Sequence, residues 1–588
     1  MASPSSEPLR RPSARAPWIA LVLALLTGSI GAGSVSMDRS LGWDESMHAA
    51  LPAARMVLAL KAGQTREAID VALDCQQYPP VYPAFLATVQ SIAGVGEGVA
   101  RAATRGLWAL GLFGLFLLGR AIVDRIERDA VQPFAGAALV PWILPAIALT
   151  SPMALAFSGT LFLEIPFTVA ATFALWAWMR RGGATGRAER VRRDLLAGAL
   201  IAVCFFTKFN YALLLGLGLA LDLAIESAGL IRAGRARQAM ERVIALGLPS
   251  ALAWLWWFVL PFPAGAEVAA SHRSAFLAFL GGNTQLGTTP YAIRVWDMAT
   301  YLAPGPRGLL ITLGAAGLAL VWVRRPAVRC LALVLVTGFG PILAHNFHLE
   351  RFLLPPALAL WALAAVGLAR LAPTSRAGRA IFLGAVGAVG LVSPTLDAGL
   401  AAGALGLRTA DNAEYLAALH RQRLSLSPAR GLPTAGLQRA EYDALLDAAA
   451  AAAGPTARVA WLGINSELSP AALHLGLLAR GGAPERLRRD AGRVRPDGQP
   501  EMVVTFMGED PGWNGAQLRA WAGQFDVVFS TEPLDWKGRA HRAFLETYRG
   551  WLFETGEWSY ASIARLAIAR AGGRATDLEL YACRHDGE

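Results

Sequence analysis

Charge is what this chain has least of. Only 16% of its 588 residues are Asp, Glu, Lys or Arg, against 54% hydrophobic, and the mean hydropathy is +0.41. A soluble domain carries about 25% charged residues, so a chain wetted on every side is excluded. Cysteine is also scarce. The four, Cys75, Cys204, Cys330 and Cys583, have no metal-ligand spacing, which argues against a zinc module or a disulfide framework. Cys204 and Cys330 stand in apolar runs and read as small core hydrophobes. Cys75 and Cys583 read as outward-facing, their pairing left open. No Gly-x-Gly-x-x-Gly or phosphate-binding loop is present, so a nucleotide pocket has no anchor. No internal repeat is visible. The formal charge of +11 does not signal nucleic acid, because most arginines fall in short loops between apolar runs.

What is present is a series of apolar runs from Ala16 to about Leu400. Each is roughly 18–22 residues, enough to cross a core of about 30 Å at about 1.5 Å per residue. Loop arginines orient them. Residues 1–16 read as a cytosolic tail, and Pro17–Val35 as an uncleaved anchor that ends outside. Further spans are expected at Thr104–Val123, Phe134–Leu149, Thr160–Met179, Leu195–Thr207, Tyr211–Leu230 and Val243–Pro261. Four more follow: one ending at Arg324-Arg325, then Ala327–Ala344, Phe352–Leu371 and Ala380–Leu400. That makes about eleven spans in 17–400, with the C-terminus outside. Between the first two, Ser46–Leu60 reads as amphipathic and Tyr82–Val95 as an interfacial helix. The loop from Phe262 to about Arg307 is expected to be external. Lys208, at the end of a short span, is expected to snorkel to the outer face. The Trp254-Leu255-Trp256-Trp257 cluster reads as lipid-facing bulk.

Residues 401–588 change character. Apolar runs rich in β-formers, Val459–Ile464, Met502–Phe506, Phe525–Phe529 and Leu578–Ala582, alternate with helical patterns. They read as a small non-cytosolic α/β domain. The expected fold is therefore a polytopic α-helical membrane protein with a C-terminal soluble α/β domain.

Polar groups gather at the outer face of this topology. Asp44 and Glu45 follow the first span. Carboxylates at the mouth of a membrane domain are costly unless water or a cation meets them, which marks them as functional candidates. Tyr78 and Tyr82 open the interfacial stretch, Glu164 starts the fourth span, and Lys208 ends the fifth. His345, His348 and Arg351 precede the tenth. A carboxylate can take a proton from an attacking hydroxyl. Lysine and arginine can stabilise charge on a departing phosphate. Blander readings stand beside these. The acids also suit a solvated first helical turn, the tyrosines an interfacial belt, and the histidines a capped loop. No metal-ligand set is assigned, although a divalent metal is left open. A transporter or lipid flippase is the rival class. It calls for charges near the midplane and for repeats, and neither is seen.

Five motifs in order resemble the GT-C superfamily of polyprenyl-phosphate-sugar-dependent glycosyltransferases, in the branch of the protein O-mannosyltransferases and the lipid A aminoarabinose transferases. They are Asp44-Glu45, Pro79-Pro80-Val81-Tyr82, Leu163-Glu164-Ile165-Pro166, Thr207-Lys208 and Arg351-Phe352-Leu353-Leu354-Pro355. The resemblance covers about 17–400. It implies a GT-C-like catalytic domain and a polyprenyl-phosphate-linked sugar as donor. It also implies a lipid, glycan or protein acceptor, and inversion at the anomeric carbon. Asp44 would be the general base, with Glu45 orienting the acceptor or tuning that base. Lys208 and Arg351 would bind the donor phosphate. Glu164 would hold the sugar or position Lys208. Tyr78, Tyr82 and His348 complete the expected substrate contacts. The site and the C-terminal domain would face the periplasm from a bacterial inner membrane, among membrane lipids and without nucleic acid. One departure matters: the aminoarabinose transferases carry a lysine just before the Pro-Pro pair, where Gln77 and Tyr78 stand here.

Overall fold

The computed structural model describes residues 16–33, 45–73, 78–128, 136–184, 186–262, 266–281, 301–303, 305–344 and 350–373. In the C-terminal part it describes 439–453, 459–462, 514–523, 527–532, 558–569 and 575–585, with isolated positions besides. Asp44, Gln77, His345, His348, the Ala380–Leu400 run and the Met502–Phe506 run lie outside the described residues.

Helices are numbered here in chain order. They are α1 Ala16–Gly33, α2 Leu51–Lys61, α3 Thr65–Leu73, α4 Val81–Ala93, α5 Glu97–Arg128, α6 Val140–Thr150, α7 Pro152–Ser158 and α8 Glu164–Arg180. There follow α9 Arg187–Thr207, α10 Phe209–Arg232, α11 Ala236–Phe258, α12 Ala266–Gly281, α13 Gly305–Leu320, α14 Pro326–Ala344 and α15 Leu354–Leu371. Among the described residues, three helical stretches are long and apolar enough to cross a membrane: Glu97–Arg128, Phe209–Arg232 and Arg351–Leu371. The longest, α5, begins with Glu97 and ends with Arg125 and Arg128, signs that complement its dipole.

Helix α15 is the axis of the bundle. Every residue from Leu354 to Ala369 is buried, as expected of a helix that is apolar all round and enclosed by others. Helix α10 is the contrast: only 22% of its apolar window is buried. Backbones approach most closely at glycines. A Cβ at Gly367 of α15 would fall on the Ala315 carbonyl of α13, and one at Gly198 of α9 on the Leu246 carbonyl of α11. Packing of this kind is the main source of helix association where lipid removes the hydrophobic drive.

Away from the outer-face motifs, a chain of ion pairs ties the bundle together. Asp222 accepts from Arg329 Nε at 2.9 Å and from Trp178 Nε1 at 3.0 Å. Arg181 joins Asp194 at 2.6 Å and Glu226 at 3.0 Å, and Arg242 pairs with Glu226. Cys204 and Cys330 are buried and free, and Cys583 is buried.

In the C-terminal part, helix α16 (Arg439–Ala453) precedes β1 (Val459–Leu462). Then come α17 (Gly515–Ala522), β2 (Val527–Glu532), β3 (Trp558–Ala569) and β4 (Ala575–His585). The sheet order is β1-β2-β4-β3. Strands β1 and β2 run parallel, while β2–β4 and β3–β4 are antiparallel. The sheet is thus mixed. Strand β3 escaped the sequence reading because Arg565 and several small residues interrupt its apolar pattern. One apolar cluster joins Ala49, Met56, Val57, Tyr82, Leu86 and Leu163 to Tyr442, Leu446, Val527 and Leu580.

Several expectations need correction in detail. Ser46–Ala50 is a π-helical turn leading into α2, so the amphipathic stretch is not one regular helix. Helices α3, α7 and α12 were not anticipated. Helix α5 begins before the expected span, so Arg101 and Arg105 lie within it. Trp257 is not lipid-facing: it is 1% exposed, whereas Trp254 is 45% exposed.

Candidate functional site

The break between α9 and α10 sets the centre of the site. Lys208 is the extended residue joining the two helices, at φ −159° and ψ 98°. Thr207 Oγ1 turns back onto the Val203 carbonyl, closing α9. The kink sends the Lys208 side chain inward and not along the surface. Lys208 is 4% exposed, so it does not snorkel. A buried ammonium needs a partner, and Glu164 supplies it. Lys208 Nζ donates to Glu164 Oε1 at 2.7 Å.

Glu164 is the first residue of α8 and is fully buried. It draws a second cation, with Arg351 Nε 3.5 Å from the same Oε1. The Tyr211 hydroxyl donates to that oxygen at 3.4 Å. Glu164 Oε2 is buried and finds no hydrogen-bond partner among the described residues. Glu164, Lys208 and Arg351, far apart in sequence, therefore meet at one carboxylate oxygen.

Aromatic rings wall this cluster. Lys208 Nζ lies 4.9 Å from the Tyr78 ring, 4.9 Å from Tyr211 and 5.8 Å from Phe352. The Arg351 guanidinium sits 4.2 Å from the Phe162 ring centre. Such contacts stabilise a cation by about 0.5–2 kcal/mol each, more where water is excluded. Tyr78 also meets His48 edge-on at 4.9 Å and Phe209 at 5.9 Å. Tyr211 further lines a small apolar cleft, with Phe167, Leu215, Val334, Gly338 and Pro356.

Glu45 belongs to a second cluster. It is fully buried at the head of the π-helical turn. Its Oε1 accepts from the Leu161 amide at 2.8 Å and from Arg101 Nη1 at 3.5 Å. Arg101 also donates to Glu97 at 2.8 Å and to the Gly159 carbonyl at 3.1 Å. Glu45 thus clips the turn that follows Asp44 to the 159–161 loop, just before Glu164. Tyr82 is 1% exposed, and its hydroxyl pairs with Thr104 at 2.6 Å. Burial pushes the Tyr82 phenol up. The described contacts do not bring Tyr82 to Glu164, Lys208 or Arg351; it cross-links α4 to α5.

No family model matches this chain, and no curated protein does. Solved structures do. ArnT from Cupriavidus metallidurans in the apo state aligns with a TM-score of 0.56 at 17% identity, over 97% of this chain and 98% of that one. ArnT bound to undecaprenyl phosphate aligns with a TM-score of 0.56 at 16% identity, over the same shares. The chain shares the fold of these ArnT structures. An Archaeoglobus fulgidus oligosaccharyltransferase in the apo form aligns at 0.41 and 13% identity, over 74% of this chain and 58% of that one, too remote to carry argument.

Within this fold the structure joins Glu164, Lys208, Arg351 and Tyr78, and sets Glu45 and Tyr82 apart. Among the described residues no group of three metal-ligating side chains occurs. Sequence reasoning missed Tyr211, Phe162, Phe352 and His48. An aromatic next to a motif carries little signal by itself. The available clue was the clustering of aromatics beside each charged motif: Phe162 near Glu164, Tyr211 near Lys208, Phe352 beside Arg351.

Proposed function

We propose that this chain is an integral membrane glycosyltransferase that moves a sugar from a polyprenyl-phosphate carrier to an acceptor hydroxyl, with inversion. One observation carries the reading: two buried cations converge on the single carboxylate of Glu164, in a fold shared with ArnT, a protein solved with undecaprenyl phosphate. Two neighbouring cations suit a phosphate. A charge-assisted contact to such an anion contributes about 1.5–3 kcal/mol. In this reading Lys208 and Arg351 hold the donor phosphate and stabilise it as it leaves. Glu164 keeps both cations in place, and its second oxygen accepts a sugar hydroxyl. The apolar cleft beside Tyr211 takes the start of the isoprenoid chain. Asp44 is the general base on the acceptor hydroxyl. Glu45, paired with Arg101, fixes the turn that presents Asp44.

The membrane domain is read as 17–400 with about eleven spans. Residues 401–588 are read as a separate α/β domain on the periplasmic side of a bacterial inner membrane. The joint apolar cluster of 49–57, 442–446 and 527 supports that side. The acceptor is a lipid, glycan or protein, and His348 is a candidate substrate contact.

The test is transfer of labelled sugar from a polyprenyl-phosphate donor by the full chain in proteoliposomes, with Asp44→Asn beside wild type. The amide keeps the shape of the acid but cannot take the proton, and general-base catalysis contributes about 10²–10⁴-fold. An Asp44→Asn rate above about a tenth of wild type would remove Asp44 as the base.

A further inference from the structure

Helix α12 follows the α11 turn, in the stretch that sequence reasoning left as an external loop, and two of its side chains are linked indirectly to Tyr78, beside Lys208. His272 is 6% exposed. Its Nδ1 is 3.0 Å from the Trp257 carbonyl and its Nε2 is 2.8 Å from the Leu73 carbonyl. Its ring stacks on the Trp257 indole at 3.7 Å and 7°. Arg273, next in sequence, donates to the Phe258 carbonyl at 2.5 Å. Arg273 thus caps the end of α11, where carbonyls lack helical partners; a neutral His272 carries one N–H, and in the Nε2–H tautomer it donates to Leu73. The second His272 contact does something else. Leu73 is the last residue of α3, and Tyr78 follows it by five residues. A chain that short reaches about 17 Å at most, so an anchored Leu73 restricts where Tyr78 can sit.

A second contact from the same helix points to the same place. Phe276 lies four residues after His272, on the same helical face. Its ring is 5.5 Å from Phe209 and 5.3 Å from Phe258. Phe209 in turn packs on Tyr78. Helix α12 therefore meets Tyr78 by two routes, a backbone tether through His272 and a ring contact through Phe276 and Phe209.

We propose that His272 is a positioning residue, through which α12 anchors the segment that carries Tyr78 onto Lys208; this rests on the donor reading of the Lys208 cluster. His272 touches neither donor nor acceptor. It sets the aromatic wall around the ammonium that meets the donor phosphate. Where a lysine precedes the Pro-Pro pair, charge would serve there; here a tyrosine must be held in place.

The experiment uses the full chain in nanodiscs, with undecaprenyl phosphate as the probe. His272→Phe keeps the ring and its stack but donates no hydrogen bond. It is expected to weaken binding by about 3–10-fold, the scale of one lost hydrogen bond. Tyr78→Ala is expected to weaken binding comparably, and the double variant to be no weaker than the worse single one, because both act through Tyr78. His272→Gln, which retains an N–H donor, is expected to recover part of the loss. Fully additive effects, or binding unchanged in His272→Phe, would overturn the proposal. Amide exchange without lipid is the second measurement. His272→Phe is expected to speed exchange over residues 78–86, and unchanged exchange there would also overturn it. If undecaprenyl phosphate binds not even to wild type, the donor reading falls, and the exchange result alone decides the role of His272.

Discussion

At the scale of single residues, Glu164 holds two cations with one oxygen, and the three side chains carry opposite expectations. In the proposed reading Lys208→Ala and Arg351→Ala each remove a phosphate contact, so undecaprenyl phosphate binding should weaken by roughly 10–150-fold. Arg351→Lys should recover little if the contact is a two-pronged fork, which an ammonium cannot reproduce. Glu164→Gln removes the competing anion. Phosphate binding should then hold or tighten while sugar transfer falls. If Glu164→Gln instead loses affinity as Lys208→Ala does, the carboxylate serves only to hold the cations together. A calorimetric or fluorescence titration of purified variants separates these outcomes. His272 carries a pH expectation. Burial outweighs the two carbonyls and holds its pKa below the ordinary histidine value near 6.5. The folded chain then binds fewer protons at this site than the unfolded one, so stability rises with pH here. The contribution is full above about 6.5 and is lost as pH falls toward the folded value. The melting temperature in detergent should drop between about pH 7.5 and 5 by more in wild type than in His272→Gln. Equal slopes would mean that His272 does not titrate with folding.

At the scale of elements, close helix crossings govern the bundle. Gly367→Ala should force α15 and α13 apart, because its Cβ would land on the Ala315 backbone, which cannot rotate away. Overpacking of that kind costs about 1–3 kcal/mol, read as a lower melting temperature with donor affinity little changed at the distant Lys208 cluster. Gly247 on α11, with open space around it, is the control. These elements also show what was legible beforehand. Helices occur at ten of the eleven expected span positions, because apolar length and arginine loops are local signals; Ala380–Leu400 lies outside the described residues. Glu164, Lys208 and Arg351 were legible as charges placed where lipid penalises them. That all three meet at one oxygen was not, since their convergence depends on how α8, the α9–α10 kink and α15 pack. The burial of Lys208 was misread for the same reason: a lysine at a span end looks alike in sequence whether it turns outward or inward. Helix α12 was missed because its polar residues, Ser271, His272, Arg273 and Ser274, resemble a loop. Its pairing with Trp257 and Leu73 is tertiary.

At the scale of the whole molecule, the question is which side of the membrane each part occupies. Arg10, Arg11 and Arg15 precede α1, and a positive flank favours the cytosol for that end. The π-helical turn and α2, which follow α1, then lie on the opposite side if α1 crosses. Ala49, Met56 and Val57 from that region share one apolar cluster with Tyr442, Leu446 and Val527 from the C-terminal part. Side chains in one contiguous cluster cannot sit on opposite faces of a bilayer core about 30 Å thick. Two signals that are independent of each other, loop arginines and tertiary packing, therefore favour the same side for 401–588 and for the turn after Asp44. The last span expected from the sequence, after Arg376 and Arg379, would supply the crossing this requires. A reporter fused after Ala401 should read periplasmic, and one fused after Arg376 cytosolic. A cytosolic reading after Ala401 would part the C-terminal sheet from the Glu45 turn, and the acceptor would then have to reach Asp44 without that domain above it.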